Sequence, residues 1–232
     1  ATLCGTAWFD EVFHQLDDGI RIEWHASDGD IIEPDTLLCE LNGTVTSLLT
    51  GERTALNFLQ TLSATATATT RYVQAVAHTK CKILDTRKTI PGLRLAQKYA
   101  VLCGGGHNHR KGLYDAVLIK ENHIAAAGSI RKAIGRAREL YPDIFVEVEV
   151  ENMQEFEQAI DAGPDRILLD NFSLDQLQAV CDFNCGCNQL EASGNITLEN
   201  IARVAETGMD YISTGSITKH INAIDLSMRL TG

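Results

Sequence analysis

The chain has 232 residues, 44% of them hydrophobic and 22% charged, which is ordinary globular composition with enough apolar material for one sizeable core and a smaller second domain. Its formal net charge of −11 repels phosphate backbones and argues against nucleic-acid binding. It holds no run of about 18 apolar residues, so no membrane span is expected, and its seven cysteines, odd in number and mostly inside apolar segments, suit a reducing cytoplasm better than a disulfide framework.

The chain opens at Ala1 without a basic region followed by an apolar run. No signal peptide is read there, and the missing initiator Met suggests a truncated or processed product. A helix is expected around 9–16. Short alternating or apolar runs follow at 20–24, 37–41 and 44–49, punctuated by Asp28-Gly29-Asp30 and Asn42-Gly43. Asp-Gly and Asn-Gly between such runs mark tight turns, so this region reads as antiparallel β.

A long helix is expected from about residue 50 to 77. The Ala/Thr run at 63–70 within it permits close packing, which suits a dimer or domain contact. Strands are then expected at 81–84, 116–119, 145–150, 166–169, 189–191 and 211–213. They alternate with helices at 93–102, 129–140, 153–162, 173–181, 198–207 and 223–229. Gly163 and Gly208 are placed to end two of these helices. Such alternation implies a parallel sheet, either a barrel or an open doubly wound sheet.

Each strand ends in small polar or charged residues: Asp85-Thr86-Arg87-Lys88, Lys120-Glu121-Asn122-His123, Glu147 and Glu149, Asp170-Asn171, Glu191-Ala192-Ser193-Gly194-Asn195 and Ser213-Thr214-Gly215-Ser216. One such residue is usually a solvated loop group. Six successive strand ends are a pattern, because in a βα barrel those ends converge on one mouth. Strands covered on both faces are nearly all apolar, so the two acids in Val146-Glu147-Val148-Glu149-Val150 imply a polar lumen. Arg53, Arg87, Lys88, His109, Arg110 and Lys120 form a cationic set, and Glu149 and Asp170 an acidic one able to hold Mg²⁺ through oxygen ligands. Ser193-Gly194 and Thr214-Gly215 expose backbone N–H groups, each expected before a helix N-terminus, as a phosphate cradle.

The runs Asp85-Thr86-Arg87-Lys88-Thr89-Ile90-Pro91-Gly92-Leu93-Arg94, Gly104-Gly105-Gly106-His107-Asn108-His109-Arg110 and Leu118-Ile119-Lys120-Glu121-Asn122-His123 resemble quinolinate phosphoribosyltransferases. Glu52-Arg53-Thr54, Val146–Glu149, Leu169-Asp170-Asn171, Ser193-Gly194 and Thr214-Gly215 continue the match in order. The resemblance implies an α/β fold: an incomplete, seven-stranded-type α/β barrel over 61–220 and a smaller sandwich-like domain over 1–60, completed by 221–232. It implies transfer of ribose 5-phosphate from phosphoribosyl pyrophosphate to quinolinate with loss of CO₂, using Mg²⁺, in NAD biosynthesis. It also implies a cytoplasmic homodimer with shared active sites.

Carried over by position, Arg87, His109 and Arg110 bind the quinolinate carboxylates, with Thr86 and Lys88 alongside. Arg53 is donated across the dimer. Lys120 contacts the pyrophosphate or ribose side, and Glu149 and Asp170 hold the ribose hydroxyls with or without the metal. Ser193, Gly194, Thr214 and Gly215 cradle the 5-phosphate. Two departures stand out: the further N-terminal helical segment usual in the family, with its basic site residues, is absent, and Asn195 replaces a second glycine.

Several features have plainer readings. Cys181, Cys185 and Cys187 lack zinc-type spacing and read as an ordinary connection. His107 and His109 flank Asn108 and admit a metal reading, but a carboxylate-binding role for His109 is preferred because Arg110 adjoins it, and His123 is read as either a loop or a supporting group. Competing functions are a nicotinate phosphoribosyltransferase, which needs fewer cationic clamps, a catalytically silent binding protein, and an aldolase with Lys120 as Schiff base.

Overall fold

The computed structural model describes residues 1–231, which divide into two compact units. The first comprises Ala1–Arg71, Thr89–Gly106 and the chain from Ile217 on; the second comprises Tyr72–Lys88 and His107–Ser216.

The first unit begins with α1 (Thr6–Leu16), followed by an antiparallel pair, β1 (Arg21–Trp24) and β2 (Cys39–Asn42). Phe9 and Phe13 on α1 point into a core with Leu3, Ile32, Leu48, Leu56 and Leu59, and Trp24 packs edge-on against Phe9. Helix α2 runs from Val45 to Ala75. The run at 44–49, expected as a strand, is instead its first turn: the Thr44 hydroxyl accepts from Ser47 N at 3.2 Å and caps the helix.

Several small residues of α2 make contacts within the chain. Thr2 N donates to Thr67 Oγ1 and Cys4 N to Ser63 Oγ, laying the N-terminal segment on the helix. Gly104 follows α3 (Arg94–Cys103). A Cβ there would lie 2.5 Å from the carbonyl oxygen of Ala66, so only glycine permits this approach. The helix expected at 223–229 does not form. Ile224, Leu226, Met228 and Leu230 alternate with polar residues, a period of two that suits extended chain, and Leu226 and Met228 pack against the core.

The second unit is built on six parallel strands: β3 (Lys82–Leu84), β4 (Val117–Ile119), β5 (Val146–Val150), β6 (Arg166–Asp170), β7 (Gln189–Ser193) and β8 (Tyr211–Ser213). Their order is β3-β8-β7-β6-β5-β4. A single parallel bridge from Leu84 to His107 adds a rudimentary seventh strand beside β3. Helices α4 (Glu121–Ala127), α5 (Ile130–Leu140), α6 (Met153–Ala162), α7 (Leu174–Asn184) and α8 (Ile201–Glu206) connect the strands, and α9 (Ser216–Lys219) follows β8. Sequence reading missed the short α4, whose residues were absorbed into the polar strand end. The helices have local stop and start signals: Ser129, Asn152 and Ser173 cap α5, α6 and α7 through side-chain oxygens, and Gly163 ends α6 at φ 67°.

Candidate active site at the strand ends

Cα partners in a parallel ladder share a face. Val148, Ile167 and Leu190 lie in one row, fully buried on the helix side. Leu118, Glu147 and Arg166 form a row on the other side, as do Glu149, Leu168 and Glu191. The sheet curls around that second face. His107 and β5 stand five strand spacings apart in the ladder order, about 24 Å if the sheet were flat. Yet His109 Nε2 is 2.9 Å from Glu147 Oε2. The polar lumen inferred from the two acids of β5 is therefore real, and the fold is an incomplete α/β barrel open between His107 and β4.

The lumen has two polar levels. In the lower one, His109 sits between Glu147 and Glu191, and Arg166 donates to Glu191 Oε2 at 2.9 Å with Glu147 Oε1 at 3.9 Å. The Arg166 guanidinium stacks 3.8 Å from the Tyr211 ring centroid and also faces Phe145. Burial pushes the Glu147 carboxyl above its ordinary range. Burial first, and the neighbouring Glu147 second, push Glu191 up to about 7. The His109 ring is fully engaged: Nδ1 accepts from Arg110 N at 2.7 Å, so Nε2 carries the proton toward Glu147. Buried Asp85 accepts from His109 N and Asn108 Nδ2, fixing the loop that presents both histidine and arginine.

The upper level is the mouth. Lys120 Nζ pairs with Glu149 Oε2, and His123 Nδ1 accepts from Lys120 N at 2.9 Å, which holds the lysine backbone at the start of α4. Asp170 follows Leu169 at the end of β6 and accepts from Asn171 Nδ2. Ser193, Gly194 and Asn195 turn sharply: Gly194 has φ 91°, and a Cβ there would come within 2.2 Å of Asn171 Oδ1. Asn195 takes φ 51°, the left-handed conformation asparagine tolerates, so it does the work of the second glycine. Helix α8 starts only at Ile201, so no helix N-terminus directly follows Gly194, contrary to expectation; a turn closed by Asn200 intervenes. After β8, Thr214 Oγ1 accepts from Ser216 N, and the Lys88 side chain lies across Gly215, 3.0 Å from a built Cβ. Thr86 Oγ1 accepts from Lys88 N. Arg110 is half-buried, and burial first and the charge of nearby Arg87 second make its guanidinium less favourable there.

The structure thus gathers Thr86, Arg87, Lys88, His109, Arg110, Lys120, Glu149, Asp170, Ser193, Gly194, Thr214 and Gly215 into one unit at the C-terminal ends of its strands. Arg53 is exposed on α2 in the first unit. Reading by residue type passed over Arg166, which looked like the solvated start of a strand. The signal available was its own register: a cation on the face shared by Glu147 and Glu191. His109, Glu147 and Glu191 have the donor types of a metal site, but Arg166 already supplies the cation among them. Cys185 and Cys187 are exposed on the connection after α7, and neither belongs to a metal-type cluster among the described residues.

Residues 1–63 match the quinolinate phosphoribosyl transferase N-terminal domain, and residues 65–229 match its C-terminal domain. A probable nicotinate-nucleotide pyrophosphorylase [carboxylating] of Bacillus subtilis is 42% identical over 228 residues, covering 98% of this chain and 79% of that protein. A mitochondrial quinolinate phosphoribosyltransferase [decarboxylating] of Nicotiana tabacum is 36% identical over 98% of this chain and 70% of its own length. The solved nicotinate-nucleotide pyrophosphorylase of Francisella tularensis superposes with a TM-score of 0.96 at 53% identity, covering 97% of this chain and 81% of that one. With both domains matched in order and the polar strand ends converging on one mouth, the chain belongs to the quinolinate phosphoribosyltransferase family.

Proposed function

We propose that this chain transfers the 5-phosphoribosyl group of phosphoribosyl pyrophosphate to quinolinate, yielding nicotinate mononucleotide, pyrophosphate and CO₂ in NAD biosynthesis. The observation that carries this reading is that the Leu84–His107 bridge puts Arg87 and half-buried Arg110 each three residues beyond paired positions, in a protein of net charge −11. Two guanidiniums held near each other repel, and a dianion relieves that repulsion through paired hydrogen bonds to each carboxylate.

The pyridine nitrogen bonds to the anomeric carbon as the bond to pyrophosphate breaks. The ring, now cationic, accepts the electrons released when the neighbouring carboxylate leaves as CO₂, and a proton fills the vacated carbon. Arg87 and Arg110 clamp the carboxylates, with Thr86 and Lys88 beside them and His109 acting through the backbone of Arg110. Lys120 faces the departing pyrophosphate. Glu149 and Asp170 bind the ribose hydroxyls and face the positive charge that develops on the sugar. Ser193, Gly194, Thr214 and Gly215 hold the 5-phosphate at their turns.

Glu149 and Asp170 offer only carboxylate oxygens, the donor type Mg²⁺ takes. They would hold the ion there, and it would neutralise pyrophosphate charge. We assign Arg53 to the partner's site in a homodimer, and the cytoplasm as the compartment. No helix among the described residues is long and apolar enough to cross a membrane.

The test follows CO₂ release from carboxyl-labelled quinolinate. Release requiring both phosphoribosyl pyrophosphate and Mg²⁺, with nicotinate a poor acceptor, is expected. Equal turnover of nicotinate would replace this reading with the non-decarboxylating transfer.

A further inference from the structure

Cys4 and Cys103, 99 positions apart in sequence, meet in the first unit. Their sulfurs and a carboxylate oxygen of Asp28 all lie within 4.8 Å of one another. Two sequence-distant segments are thus brought to this one spot. Both backbones are fixed. Cys4 N donates to Ser63 Oγ and Cys4 O accepts from the same hydroxyl, while Cys103 is the last residue of α3. Tyr99, one turn earlier on α3, donates its hydroxyl to Asp28 Oδ2 at 2.9 Å. Asp28 Oδ1 accepts from Gly5 N and Thr6 N at the start of α1.

We propose that Cys4 and Cys103 form a reversible dithiol–disulfide site that reacts with low-molecular-weight disulfides such as oxidised glutathione. The two thiols are unequal in the way such chemistry needs. Cys4 is fully buried and Cys103 half-buried, so a small disulfide reaches Cys103 first. The neighbouring Cys4 thiol, above all, draws the Cys103 thiol down to about 7, and the neighbouring Cys103, with burial, pushes Cys4 up. By contrast, burial pushes Cys39 and Cys81 up to about 12 and Cys181 up to about 11.

The Cys103 thiolate attacks one sulfur of the small disulfide. The old S–S bond breaks, one thiolate leaves, and a mixed disulfide remains on Cys103. Cys4 then loses its proton and attacks the Cys103 sulfur, expelling the second thiolate. In sum, two protein thiols and one disulfide become one protein disulfide and two small thiols, a two-electron exchange that any excess thiol reverses. The sulfurs, within 4.8 Å of each other, must close to the ~2.05 Å of a bond. The bond would close a loop of roughly a hundred residues in the unfolded chain, so the melting temperature should rise by roughly 5–10 °C.

The chain, chelator-treated and reduced, is incubated with oxidised glutathione and digested without reduction for mass spectrometry. The expected product is a Cys4–Cys103 cross-linked peptide lacking two hydrogens, with the raised melting temperature, both reversed by dithiothreitol. C4S should stop at a glutathione adduct on Cys103, and C103S should leave Cys4 unmodified. Three results would overturn the proposal: glutathione persisting on wild-type Cys103 without a cross-link, oxidant consumed only at exposed Cys185 and Cys187, or a chain that takes up zinc at Cys4, Asp28 and Cys103 yet resists oxidation when metal-free.

Discussion

Glu147 and Glu149 stand two residues apart on β5 and face the same lumen, yet they live in different solvents. Glu147 is sealed, with His109, Arg166 and Glu191 around it, and its Oε1 has no hydrogen bond among the described residues. Glu149 keeps 11% of its side chain exposed and pairs with Lys120, which is 40% exposed. One strand turn of depth converts a carboxylate that can meet a ligand into one that can only be balanced from within. The lower level is therefore a charge cluster balanced from within, and the proposed function draws on the mouth for binding and chemistry.

The comparison breaks most sharply at Arg166. Removing it by Arg166→Ala strands two buried carboxylates, a loss of about 3–5 kcal/mol. Denaturant unfolding of the folded fraction measures it; a loss below ~1 kcal/mol would mean that the lower level is wetter than its burial implies.

Glu191 gives the next effect. Its folded pKa, about 7, lies above the ordinary 4.5. Between those values the native state keeps a proton that the unfolded state has released, so stability falls as pH rises from 4.5 to 7 and then levels. The full contribution is on the order of 3 kcal/mol, and the raised Glu147 adds in the same direction. Unfolding midpoints across that window should slope downward in the wild-type chain and flatten in Glu191→Gln. Parallel slopes would remove Glu191 from the account.

At the mouth the signs reverse: activity suffers and stability does not. Lys120→Met should lower kcat/KM about 10²-fold, near 2.7 kcal/mol of transition-state stabilisation. The unfolding free energy should move by no more than ~0.5 kcal/mol. Smaller again, Arg87→Ala should weaken quinolinate binding by roughly 1.5–3 kcal/mol while phosphoribosyl pyrophosphate binding holds. Calorimetry on both ligands decides, and equal losses would refute the clamp.

Much of this was legible from residue types alone. Val-Glu-Val-Glu-Val announces a lumen because acids cannot face packed helices, and the strand-end polar runs announce the mouth. What stayed hidden depended on register and distance. Arg166 opens its strand after Gly-Pro-Asp and looks solvated until its row is known. His109 reads from sequence as a ligand-binding cation, and its contacts to Glu147 and Arg110 N could not be read there. The strand assigned to 44–49 rests on β-branched residues, whose weak preference yields to the Thr44 cap and the burial of Leu48. The helix assigned to 223–229 ignored a plain alternation.

The smallest expected effect concerns Asn195. Its left-handed φ of 51° costs an ordinary residue about 1–2 kcal/mol, less for asparagine. Asn195→Gly relieves that strain but loosens the unfolded chain by about 0.4–1 kcal/mol. It also deletes the bond from Asn195 Nδ2 to Asn171 Oδ1, an exposed contact of 3.0 Å. These contributions nearly cancel, so stability should change by less than ~0.5 kcal/mol. KM for phosphoribosyl pyrophosphate should stay within about twofold, because the turn needs only the backbone conformation that glycine also adopts. Asn195→Val makes the contrast: a β-branched residue resists positive φ, and the turn that would hold the 5-phosphate should then shift. A KM that rises in the glycine variant as much as in the valine variant would show that the Asn195 side chain itself touches substrate.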